Sequence, residues 1–151
     1  MSLSMDDIKL IANNIFKKEE VSDINIFIDN NPSQCATSFK KSTNTLHINK
    51  RALSMAALTY GIKEEVVLTI RMYLEIAHIN NCQVPTYNRY EQLLKLKENG
   101  EISIDELIEY NKIIKDIKDL AWDYCENRVK AEYADHIDDC KRLRTVSLGK
   151  V

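Results

Sequence analysis

The stretch 63–80, Lys-Glu-Glu-Val-Val-Leu-Thr-Ile-Arg-Met-Tyr-Leu-Glu-Ile-Ala-His-Ile-Asn, decides how this chain folds. Val66, Val67, Leu68, Ile70, Met72, Tyr73, Leu74, Ile76, Ala77 and Ile79 leave it almost no polar face. A helix that is apolar nearly all round belongs in an interior. Neither Gly nor Pro interrupts it, so one buried helix is expected over 63–80. Yet Arg71, Glu75, His78 and Cys82 recur at spacings of four, three and four, which places them in a single stripe. Burying ionisable groups is costly unless they are paired. Two explanations follow. Either Arg71 and Glu75 form a satisfied internal pair with His78 hydrogen-bonded nearby, or the stripe lines a cleft.

Outward from that helix, the periodicity changes. A helix is expected from Met5 to Lys18, capped by Ser4, with Asp6 and Asp7 in its first turn. Ile24, Ile26 and Ile28 then alternate, as in a strand. Asp29-Asn30-Asn31-Pro32-Ser33 is turn chemistry. Cys35 to Phe39 and Thr45 to Asn49 read as two further strands separated by a polar turn. A short helix to Tyr60 stops at Gly61, a natural helix terminator. After 80 the chain reads as helical: a loop with Pro85, a helix over 87–98, then Ser103-Ile104-Asp105-Glu106. The last is the S-x-x-E pattern of a capping box. No Gly or Pro occurs from there to Leu143. The polar Glu126-Asn127-Arg128 marks the expected break in this long helical run. The fold class is therefore α+β: an N-terminal helix, a small, mainly antiparallel three-stranded sheet, and a helix-rich C-terminal part. One domain over 1–151 is expected, with a core over 1–81 and a helical remainder over 86–144 packed on it.

Composition narrows the function. The 151 residues carry 21 basic and 23 acidic side chains, a net charge of −2, which argues against a dedicated nucleic-acid binder. The most apolar stretch, Val66 to Ile79, is broken by Arg71, Glu75 and His78 and is shorter than the ~18 residues of a membrane span. The N-terminus lacks the basic and apolar regions of a secretion signal. Four cysteines at 35, 82, 125 and 140, without a C-x-x-C pair, read as free thiols in a reducing, cytoplasmic setting. His78 with Cys82 and His136 with Cys140 share one spacing, so a structural His2Cys2 zinc site is one option. Buried apolar thiols are the other. Cys35 and His47 on neighbouring strands form a conceivable nucleophile pair.

The order strand 45–49, short helix, then Leu74-Glu75-Ile76-Ala77-His78 resembles the core of zincin metallopeptidases, particularly the small ImmA/IrrE and minigluzincin types. There a strand ending in I-x-I-N precedes a helix carrying H-E-x-x-H, whose two His grip a zinc while the Glu polarises its water. This chain has L-E-I-A-H. The resemblance implies that Glu75 occupies the general-base position, His78 the second-ligand position, and Leu74 the place of the first ligand. Leucine cannot ligate zinc, so the resemblance implies a degenerate relative with no cofactor. Such a protein binds a protein or peptide in a remnant cleft lined by Asn49, Arg71, Leu74, Glu75 and His78. In active relatives extended peptides pair with the edge strand, which points to Thr45–Asn49. ImmA-type relatives act on DNA-binding repressors, so a regulatory protein is the implied partner. The alternative is an active hydrolase that holds zinc through His78 with Glu132 or Asp135 from the later helix. A third reading is a helical interaction module with an exposed apolar stripe along 104–143.

Overall fold

The computed structural model describes residues 2–81 and 85–147. It contains helix α1 (Met5–Lys18), strands β1 (Asn25–Asp29), β2 (Thr37–Lys40) and β3 (Thr45–Asn49), then helices α2 (Lys50–Tyr60), α3 (Glu64–Asn81), α4 (Pro85–Glu98), α5 (Ile104–Glu132) and α6 (Ile137–Ser147). The α+β class stands: an N-terminal helix, one small sheet, and a helix-rich remainder. No helix among the described residues is long and apolar enough to cross a membrane.

Helix starts follow local chemistry. The Ser4 hydroxyl accepts from the Asp7 amide at 3.1 Å while the Asp7 carboxylate accepts from the Ser4 amide at 3.1 Å. Ser103 and Glu106 repeat the arrangement at the head of α5. Each box satisfies two backbone donors that a helix start otherwise leaves open. Gly61 closes α2 at φ 63°, a left-handed conformation that costs glycine little. Helix α4 begins at Pro85, two residues before the expected start at Tyr87, because proline's fixed φ and missing N–H suit the first helical position.

The sheet has the order β1-β3-β2. β3 runs parallel to β1, with Asn25 opposite Thr45 and Asp29 opposite Asn49. It runs antiparallel to β2, with Thr37 opposite Ile48 and Lys40 opposite Thr45. The sheet is thus mixed, where the sequence reading has it mainly antiparallel. Alternation within a strand fixes which side chains face inward but is silent on the partner's direction. It is equally silent on order. Thr45–Asn49 is the central strand, paired on both sides, and so is not open to an added peptide strand as the zincin resemblance implies. The free edges belong to β1 and β2.

One face of the sheet packs on the helices through Ile26, Ile28, Leu46, Ile48 and Thr37. The other face is open. There Phe27 stacks on His47 with centroids 5.5 Å apart, and His47 Nε2 lies 3.1 Å from Asp29 Oδ1. Helix α3 runs through the centre of the molecule. Every residue from 66 to 77 except Arg71 is buried. Helices α1, α2 and α5 and strand β2 surround it. A single hydrophobic core extends from Ile8 on α1 through α3 to Cys140 and Leu143 on α6.

Helix α5 does not break at Glu126–Arg128. Glu126 faces Arg144 of α6 at 3.3 Å, and Arg128 holds Glu19 by two contacts of 2.7 Å. These polar residues are therefore the helix's contacts with its neighbours. The chain turns instead at Tyr133 (φ −141°, ψ 59°) into a short 3-10 turn over Ala134–His136. Across the α5–α6 corner, the Cys125 and Cys140 sulfurs lie 3.7 Å apart and fully buried.

Candidate functional site

Glu75 is the most conspicuous polar group in the interior, its side chain only 5% exposed. It is not isolated. The Thr37 hydroxyl on β2 donates to Glu75 Oε1 at 3.2 Å. Arg71, one turn earlier on α3, donates from Nε to Thr37 Oγ1 at 3.0 Å and from Nη2 to the Thr37 carbonyl at 3.3 Å. Arg71 Nη2 also lies 3.6 Å from Glu75 Oε1. Thr37 thereby ties β2 to α3, and the buried carboxylate has both a hydroxyl and a cation beside it. The Cys35 thiol adds a contact to the Thr37 carbonyl at 2.9 Å.

The first explanation of the polar stripe holds for Arg71 and Glu75 but not for His78, which has no hydrogen-bond partner among the described residues, and the second holds as well. The Arg71–Glu75 pair is satisfied, and it also borders a cleft of about 410 Å³ between β2, α3, α4 and α5. Cys35, Thr37, Ser38 and Phe39 form one wall, and Arg71, Glu75 and His78 form another. Tyr87 and Tyr90 come from α4, and Ile114, Ile117 and Lys118 from α5. Tyr90 stacks on Tyr110 with centroids 5.8 Å apart. Burial pushes the Tyr90 hydroxyl above its ordinary pKa, assisted by Tyr110, so it stays a neutral donor. Sequence reasoning missed Thr37, Lys118 and the two tyrosines. The i, i+3 spacing of Tyr87 and Tyr90 is the signal for a shared helical face. Nothing local marks Thr37.

Leu74 points elsewhere. It lines a smaller recess of about 170 Å³ on the α5 side, with Arg71, His78, Lys118, Ala121, Trp122 and Ser147. His78 lines both spaces, so Leu74 and His78, four residues apart on α3, share a recess. Asn49 lies in neither. Its Oδ1 accepts from the Ala52 amide at 2.8 Å, which caps α2, and its Nδ2 donates to Asp29 at 2.7 Å and to the Asn31 carbonyl at 2.8 Å. It is a structural clasp rather than a cleft residue.

The carboxylates offered as partners for His78 are also out of place. Glu132 stands fourteen residues beyond Lys118 on α5, about 21 Å along the axis. It pairs with Arg128 at 3.0 Å and Lys18 at 3.7 Å. Asp135 lies farther still, in the turn after α5. Among the described residues no three His, Cys, Asp or Glu side chains are grouped to hold a metal. His136 stacks on Tyr133, and Cys140 faces Cys125. Cys82 lies outside the described residues. Cys35 borders the cleft while His47 is on the sheet's open face, so they form no nucleophile pair.

The exposed apolar residues of α5 make no continuous stripe. Ile104, Leu107 and Ile108 cluster on its first two turns, and Leu120 is about 120° round the helix from Ile108. Comparison with protein families, with curated proteins and with solved structures finds no match to this chain.

Proposed function

We propose that this chain is a degenerate zincin-type domain that performs no peptidase chemistry and binds an extended segment of a regulatory protein in the cleft beneath β2. One observation carries the reading: Glu75, which the zincin resemblance assigns to the general-base position, is buried and held by Thr37 and Arg71 under a sheet edge. Leu74 beside it has no metal-binding atom. A carboxylate with those partners serves the architecture of the cleft. β2 is an edge strand, so its backbone groups that do not face β3 are open to an added strand, except the Thr37 carbonyl that Arg71 and Cys35 engage, and alternate side chains of that strand would enter the cleft. Phe39, Ile114 and Ile117 give it apolar contact.

The test is to pan a displayed library of random nonapeptides against the intact chain, then to map hydrogen exchange with an enriched peptide bound. The expected result is slowed exchange in the amides of 37–40 and in α4 facing the cleft. Protection confined to another surface, or no enrichment at all, would overturn the reading. Dialysis against zinc followed by metal analysis should leave no stoichiometric metal. One zinc per chain would favour the hydrolase alternative.

A further inference from the structure

The charges in the cleft are unevenly committed. Among the described residues its one carboxylate, Glu75, is buried and engaged by Thr37 and Arg71. Its basic groups are not balanced in the same way. Lys118 of α5 is exposed, His78 on α3 is half-buried, and neither has an ion-pair or hydrogen-bond partner among the described residues. Both border the cleft of about 410 Å³, and both border the recess of about 170 Å³ beside it. Arg71 borders both as well, and Thr37 engages its Nε and Nη2. The junction of the two spaces is therefore a place where the Lys118 ammonium, the Arg71 guanidinium and the His78 imidazole converge and, among the described residues, no free carboxylate competes. The rest of the lining combines Cys35, Thr37, Ser38 and Ser147 with aromatic and aliphatic side chains.

We infer that the cleft selects an acidic peptide: an extended segment whose Asp or Glu side chain is received at the junction by Lys118 and His78, with apolar neighbours against Phe39, Tyr90 and Ile117. This deepens the peptide-binding reading and rests on it. A carboxylate at that point accepts charge-assisted hydrogen bonds. A neutral peptide leaves Lys118 solvated and gains nothing from it. The chain's overall charge of −2 would not attract such a ligand, so the preference is a property of this junction.

The same nonapeptide library separates the two claims. Against the wild-type chain, Asp or Glu should be enriched about threefold or more at one position. A selected peptide should lose about fivefold in affinity, measured by fluorescence anisotropy, when its acidic residue is changed to the matching amide. Lys118→Gln, an exposed substitution, should erase the acidic enrichment while apolar residues at the flanking positions stay enriched. Enrichment without an acidic position, with protection still at 37–40, would overturn the charge preference and leave peptide binding standing. Acidic enrichment that persists in both Lys118→Gln and His78→Gln would also overturn it. Failure of the library to enrich anything would remove both claims.

Discussion

Asn49 shows how much a single side chain can hold. Its carboxamide caps α2, ties β3 to Asp29 of β1, and reaches the Asn31 carbonyl. Asn49→Ala leaves the buried Ala52 amide uncapped and removes the donor to Asp29 and Asn31, so it should cost about 2 kcal/mol in a urea titration. It should not alter peptide affinity beyond that loss. Glu19 has a comparable place, its side chain only 6% exposed, gripped by Arg128 and receiving a hydrogen bond from the Tyr73 hydroxyl at 3.2 Å. Glu19→Ala removes the acceptor of the Tyr73 hydroxyl and leaves Arg128 with Glu132 alone, and should destabilise by about 1–2 kcal/mol in the same assay. Leu74→His tests the placement of α3 directly. It sets a second imidazole one turn from His78 in the same recess, and the variant should bind zinc more tightly than the parent by isothermal titration, with circular dichroism unchanged. Equal affinities in a folded variant would contradict the correspondence of Glu75 and His78 with the zincin motif. In sequence, the 71, 75, 78 stripe was legible because helical spacing alone sets it. The role of Thr37 was not, because its partners lie 34 and 38 residues away.

Among the elements, helix boundaries were readable where a side chain acts on its own backbone. The boxes at Ser4 and Ser103 could be identified because every participant lies within four residues. Strand order could not, since nothing in the residues of β3 says that two neighbours will flank it. The end of α5 was misplaced for a related reason. A polar triplet looks like a terminus until Arg144 on α6 and Glu19 just past α1, which it meets, are known. The boxes also give the helices a pH dependence. The Ser4 amide, then its hydroxyl, hold Asp7 below its ordinary pKa of 3.8, and Ser103 does the same for Glu106 below 4.5. Both folded values are depressed, so their contribution is complete above the ordinary range and is lost as pH falls through the folded values. The Asp7 and Glu106 amide signals should move toward random-coil positions in acid, ahead of those in α3. Unchanged signals down to the acid limit of folding would contradict this.

At the scale of the molecule, the core reports on global opening. Burial, and then the Glu19 carboxylate, raise the Tyr73 hydroxyl well above its ordinary pKa of 10.0. A raised value means its contribution is present below pH 10 and lost as pH climbs beyond it, so the chain should unfold cooperatively in alkali. Tyr73→Phe should soften that dependence. The Cys125 thiol is likewise pushed up, by its hydrogen bond with Cys140 and by burial. Iodoacetamide should therefore modify exposed Cys35 in the native protein and reach Cys125 and Cys140 only when the core opens, as peptide mass mapping would show. Early labelling of Cys140 would mean that α6 opens by itself. The position of β3 also has a consequence in time. Because the middle strand is the last of the three to be synthesised, β1 and β2 leave the ribosome with no partner strand, and no ladder can begin until β3 starts to emerge at Thr45. The short connection over 41–44 lets β2 and β3 close first as a hairpin, and β1 then joins across the larger gap.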